Sequence, residues 1–163
     1  ARNTGTDVAL GNGDGTFKAP TTVNHGVAGW SEEVADAADL DGDGKLDLIR
    51  GGDGGIDVAL GNGDGTFKAA ARVGSAFKTR GIHAVDLDQD GVLDLVASDY
   101  NTGEIRFYHG QGSGTFAAGT VLTTFGAFQR GFGVADLNKD GRPDFFGASI
   151  QESLFYVSLG TSN

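Results

Sequence analysis

Eleven of the chain's 18 aspartates fall into three nine-residue stretches. They read Asp39-Leu-Asp-Gly-Asp-Gly-Lys-Leu-Asp47, Asp86-Leu-Asp-Gln-Asp-Gly-Val-Leu-Asp94 and Asp136-Leu-Asn-Lys-Asp-Gly-Arg-Pro-Asp144. Each places oxygen donors at positions 1, 3, 5 and 9, with glycine at position 6 to allow a sharp turn. A backbone carbonyl at position 7 completes a set of hard oxygens of the kind that suits Ca²⁺. The first loop offers Asp39, Asp41, Asp43 and Asp47 with the Lys45 carbonyl; the second offers Asp86, Asp88, Asp90 and Asp94 with the Val92 carbonyl. The third offers Asp136, Asn138, Asp140 and Asp144 with the Arg142 carbonyl, and is expected to bind most weakly because it has one carboxylate fewer. Up to three Ca²⁺ ions are expected, each holding a strand connection. An EF-hand is excluded, since position 12 is Arg50, Ala97 or Gly147 instead of a bidentate Glu.

Charge and composition narrow the function classes. The formal net charge is −10 over 163 residues. Without cations, the crowded carboxylates repel one another. Three dications, six positive charges, would bring −10 to −4. So acidic a chain is not expected to bind nucleic acid, which demands a basic surface. The longest charge-free run, between Arg106 and Arg130, is rich in Gly, Ser and Thr, so no membrane span is expected. There is no cysteine, hence no disulfide framework and no thiolate chemistry. Glu32 and Glu33 adjoin, but nothing in the sequence suggests a second carboxylate placed across a cleft from them, and no Gly-x-Ser-x-Gly elbow exists. His25, His83 and His109 do not recur in phase and read as solvated or structural. An enzyme is not expected.

The elements that must hold the loops follow from repetition. Asp7-Val-Ala-Leu-Gly-Asn-Gly-Asp-Gly-Thr-Phe-Lys18 recurs identically as Asp57 to Lys68, and more loosely from Arg106 to Phe116. The Asp loops interleave with this motif at the same period of about 47–50 residues. Within one period the apolar residues form short runs bounded by Gly and Asp, as strands do. One strand ends at Leu87, and others cover Leu93–Ala97, Glu104–Tyr108 and Phe116–Leu122. The Gly-Asn-Gly-Asp-Gly segments at 11–15 and 61–65 read as hairpin turns and not phosphate loops, because no Lys-Ser/Thr and no helix follow. The fold class is all-β: four-stranded antiparallel blades of a β-propeller.

The coupled Asp loops and Leu-Gly-Asn-Gly-Asp-Gly-Thr-Phe segments resemble the FG-GAP/VCBS family of calcium-binding propeller repeats. Integrin α-chain heads, bacterial surface proteins and some fungal lectins carry such repeats. The resemblance spans about Asp7 to Leu159 and implies extracellular or cell-surface placement, which suits loops that fill at millimolar calcium. Trp30 lies just before a first strand, with Phe77 and Phe128 near the corresponding places of the later repeats. Such aromatics either wedge neighbouring blades together or offer a face to a sugar. Gly29-Trp30 resembles the fungal lectin branch, in which sugars lodge between blades.

The expected organisation is one repeat domain of about 3.3 blades. A half blade occupies 1–28, holding third and fourth strands over Thr6–Leu10 and Phe17–Val23. Blades follow over 29–76 and 77–126, then an incomplete blade over 127–163 whose third strand is Leu154–Leu159. The start at Ala1 without Met suits a processed or excised segment. Open edges at both ends imply continuation in a longer chain or self-association. Three functions compete: a recognition or adhesion module for a glycan or extracellular protein, a subunit of a ring or head-to-tail filament, and an accessory domain of a polysaccharide-active enzyme.

Overall fold

A computed structural model describes residues 5–24, 34–75, 78–126, 129–149 and 153–160. Thirteen strands and no helix occur among them: β1 (Gly5–Val8), β2 (Thr21–Asn24), β3 (Val34–Ala38), β4 (Asp47–Gly52), β5 (Gly55–Ala59), β6 (Ala71–Ser75), β7 (Thr79–Val85), β8 (Asp94–Asp99), β9 (Glu104–Tyr108), β10 (Thr120–Thr124), β11 (Gln129–Ala135), β12 (Asp144–Ser149) and β13 (Leu154–Ser158). They pair antiparallel in chain order as β1-β2, β3-β4-β5-β6, β7-β8-β9-β10 and β11-β12-β13. The sheets are separate and open, as partial propeller blades are. The expected junctions at 28/29, 76/77 and 126/127 touch residues outside the described ones.

Side-chain alternation along strands that are buried on both faces stacks the blades. In β8, Leu95 and Ala97 join Leu40, Ile49, Ile56, Val58, Ile82 and Tyr108 in one core, against the β3–β6 blade. Val96 points the other way, joining Ile105, Phe125, Phe132 and Phe145 against the β11–β13 blade. Leu95, Val96, Ile49 and Ile56 are fully enclosed, each contributing roughly 1.5–3 kcal/mol by burial. The first strands β3, β7 and β11 lie side by side, with β7 in the middle.

The fourth strands begin later than expected. β10 starts at Thr120, because Phe116 spends its pairing in an isolated bridge to Gly110; Phe17 and Phe67 likewise bridge to Gly11 and Gly61. These bridges close the glycine-rich turns. In the first copy, Thr16 N–H and Oγ1 donate to Asp14 Oδ1 at 2.9 and 2.6 Å, and the second copy repeats this with Thr66 and Asp64. The Thr hydroxyl bond, more than any other contact, holds the Asp14 and Asp64 carboxyls below their usual range. These two aspartates build turns. No helix of the described residues is long and apolar enough to cross a membrane.

Candidate functional site

Each Asp loop joins the first and second strands of its blade, and the position-9 aspartate is the second strand's first residue. That residue is fully enclosed: Asp47 is 1% exposed, Asp94 and Asp144 0%. One carboxylate oxygen accepts the position-2 N–H; the other accepts from the glycine just beyond the third strand. The Asp47 partners are Leu40 and Gly61, both at 2.8 Å. Those of Asp94 are Leu87 at 2.9 Å and Gly110 at 2.7 Å; those of Asp144 are Leu137 at 2.7 Å and Gly160 at 2.8 Å. The glycine is needed for close approach, since a Cβ on Gly61 or Gly110 would sit 2.2 or 2.3 Å from the loop carbonyl of Leu46 or Leu93. The Gly160 N–H, then those of Leu137 and Asn138, outweigh burial and hold the Asp144 carboxyl below its usual range. Position 9 therefore clamps three chain segments.

Position 1 shapes the rest of the loop. Asp39 accepts from the N–H groups of Gly42, Asp43 and Gly44 at 2.9, 3.1 and 2.9 Å. Asp86 does so from Asp90 and Gly91 at 3.1 and 3.0 Å, and Asp136 from Asp140 and Gly141 at 3.1 and 2.9 Å. Carboxylate oxygens of Asp39, Asp41 and Asp43 then lie within 4.8 Å of one another, as do those of Asp86, Asp88 and Asp94. Such donor sets suit one hard cation apiece. Among the described residues the third loop gathers no such trio, and Asn138 Nδ2 is spent on Asp140 Oδ2 at 3.0 Å. The N–H groups of Lys45, Val92 and Arg142 donate to the position-5 carboxylate at 3.0, 2.8 and 2.9 Å.

The structure also brings in a residue that the spacing did not indicate. His109 Nδ1 lies 3.1 Å from Asp88 Oδ2 and 3.4 Å from Asp94 Oδ1, with Nε2 4.0 Å from Asp90 Oδ2. His109 does not recur as a histidine, so a search for repeated ligands passes over it. Its signal is substitution within the repeat: it occupies the slot of Leu10 and Leu60 before the glycine. His83, by contrast, is structural, with Nε2 2.9 Å from the Phe132 carbonyl and its ring edge-on to that of Phe132.

Clefts border these loops between adjacent sheets. One of about 450 Å³ is lined by Leu87, Asp88, Gln89, Leu122, Arg142 and Phe145, among others. A second, also about 450 Å³, lies where Val8 and Leu10 meet Lys45, Leu46, Leu48 and Phe67. Trp30, Phe77 and Phe128 lie outside the described residues.

A family model for the FG-GAP-like repeat matches three times, over residues 1–50, 39–97 and 86–147. The chain belongs to the FG-GAP-like repeat family. Its FG-GAP-like blades superpose on a lectin of Agrocybe aegerita, whose structure is described as the basis of specific recognition of non-reducing terminal N-acetylglucosamine. That likeness has a TM-score of 0.64 and 25% identity, covering 90% of this chain and 42% of the lectin chain. The Photorhabdus luminescens Tc holotoxin pore shares the fold at a TM-score of 0.60 and 16% identity, over 97% of this chain and 8% of the toxin chain. The chain thus spans under half the length of either. No curated protein matches it.

Proposed function

We propose that these FG-GAP-like repeats form a non-catalytic, calcium-stabilised, extracellular recognition module whose ligand is a glycan held between blades. The observation that carries the reading is the lectin likeness over 90% of the chain. The cleft of about 450 Å³ supports it, combining the apolar Leu122 and Phe145 with the polar Asp88, Gln89 and Arg142, as a sugar with one apolar face and many hydroxyls requires. Ca²⁺ would be held by Asp39, Asp41, Asp43 and Asp47, by Asp86, Asp88, Asp90 and Asp94, and by Asp136, Asn138, Asp140 and Asp144, with the position-7 carbonyls. The ion supplies cohesion: it cancels carboxylate repulsion and ties the loop into one conformation. Extracellular calcium is abundant enough to fill such loops.

The test is a glycan array that includes terminal N-acetylglucosamine, probed in millimolar calcium with the parent chain, Arg142→Ala and Trp30→Ala. Binding by the parent that falls at least about tenfold in either variant is expected. Absence of binding by the parent to every glycan sinks the reading.

A second reading, assembly through blade edges, is favoured by β13. Among the described residues this strand pairs only with β12, while Leu154, Phe155 and Val157 are 55%, 67% and 53% exposed. Such an edge invites strand addition by a further copy or by continuing chain. A monomer by light scattering in calcium would remove the self-association half of that choice.

A further inference from the structure

Four positions of the repeat are apolar in all three blades that carry an Asp loop, and their burial changes along the chain. They are the residue after the first loop aspartate, the second residue after the ninth-position aspartate, and those five and three places before the third-strand glycine. In the β3–β6 blade they are Leu40, Ile49, Ile56 and Val58, at 2%, 0%, 0% and 3% exposure, within the core shared with β7–β10. In the β7–β10 blade they are Leu87, Val96, Ile105 and Phe107, all packed into the core shared with β11–β13. In the β11–β13 blade they are Leu137, Phe146, Phe155 and Val157. There Leu137, Phe155 and Val157 are 48%, 67% and 53% exposed. The last blade bares the face that its two predecessors bury.

That face is continuous and uncharged. Phe146 and Val157 are cross-strand partners, and Phe146 stacks on Phe155 with ring centroids 6.2 Å apart. A hollow of about 260 Å³ opens beside the two rings, lined by Phe132, Gly133, Phe146, Gly147, Ala148 and Phe155. An apolar patch of this kind on a chain of net charge −10 marks an interaction surface. Inside the molecule the equivalent face is covered by another apolar blade face, so its partner is a blade of the same chemistry. The other end of the chain does not offer one. Val8 lines the cleft against the β3–β6 blade, so its neighbour Asp7 faces away, exposed, its carboxylate accepting the Thr22 hydroxyl at 2.6 Å. Burying that carboxylate against Phe155 carries a desolvation penalty that nothing on this face offsets. The apolar face that matches is the same face of a second copy.

We propose that the outer face of the β11–β13 blade is a self-association surface, on which a second copy of this chain stacks face to face about a two-fold axis. The proposal rests on the assembly reading but moves the contact from the edge of β13 to its face; it does not depend on the glycan reading. One patch meets itself, as an isologous interface requires, and the pair closes without growing into a filament. Phe146 and Phe155 are the aromatic anchors on which most of the affinity falls.

The test is light scattering over a concentration series in millimolar calcium, on the parent chain, Phe155→Lys, Val157→Lys and Leu154→Lys. Leu154, Phe155 and Val157 are each more than half exposed, at 55%, 67% and 53%, so the single chain accepts a lysine there, and thermal melts check that it does. Leu154 is the control. It lies on the same strand but alternates to the opposite face, that of Tyr156, which stacks on Phe125 at 5.5 Å. The parent is expected to dimerise, with Kd at least about tenfold weaker in Phe155→Lys and Val157→Lys and within about threefold of the parent in Leu154→Lys. A strand added at the edge packs side chains on both of its faces, so equal weakening by Leu154→Lys overturns the proposal and leaves the edge reading standing. Unchanged dimerisation in both face variants overturns it as well. A parent that stays monomeric overturns it together with self-association at the edge, and a parent that grows beyond the dimer overturns the two-fold pairing.

Discussion

The first and second Asp loops share a nine-residue pattern, yet they face different neighbours. Both are clamped by a buried aspartate, Asp47 or Asp94, that accepts two backbone N–H groups. Both are shaped from position 1, by Asp39 or Asp86. They diverge on the outer side, where loop one supplies its own cation through Lys45 and loop two borrows an imidazole from beyond β9. They diverge again at position 4, where Gly42 and Gln89 both adopt positive φ, 75° and 64°. Only the glycine does so without steric cost; Gln89 uses the geometry to donate to the Gly141 carbonyl of loop three at 2.6 Å. The repeat thus keeps its hydrogen-bonded frame and varies its outer side.

Calcium removal should give the largest effect, and it bears on what the loops share. With calcium at a hundredfold excess over Kd, each filled loop adds about 2.7 kcal/mol, so chelation should lower Tm sharply. Equal melting temperatures in calcium and in chelator would mean that the clamps alone hold the loops.

The clamps come next. Asp47→Ala strands two buried N–H groups and Asp94→Ala one buried and one half-buried N–H group, at about 1–3 kcal/mol per group. Urea unfolding in chelator should show losses of about 3 kcal/mol for both variants. A loss confined to one would show that the common frame is not common.

Exchanging position 7 probes the divergence and should have the smallest effect, because exposed pairs contribute about 0.2–1 kcal/mol. Lys45→Val should tighten calcium binding at loop one up to about fivefold, and Val92→Lys should weaken it at loop two by a similar factor, both read by calorimetry. The same lysine, through its side-chain hydrogen bond, holds the Asp43 carboxyl below its ordinary value of 3.8. Because the folded value is the lower one, this contribution is present above about pH 4 and fades as pH falls through the folded value. Carboxyl NMR titration of Lys45→Val should move Asp43 back toward the ordinary value; no movement would mean that Lys45 does not neutralise it.

Much of this was legible along the chain. Two motifs locked to one period, with apolar runs between Gly and Asp, were enough to read antiparallel blades and FG-GAP-like repeats. The alternating burial of Leu95, Val96 and Ala97 is the same period-2 rule seen in three dimensions. The start of β10 was less legible, because Phe116 is strand-like in type but pairs only with Gly110 to close a turn. His109 was passed over because ligand spacing is sought within a motif, whereas this contact joins residues 21 apart across a strand pair.

The sequence by itself determined the period, the all-β class and the oxygen-rich loops, since local spacing dictates turns and strand alternation. Only the tertiary structure decided that the ninth aspartate is a buried clamp and that His109 stands over Asp88. Both depend on the third strand returning beside the loop, and that distance is set by packing and not by any local pattern.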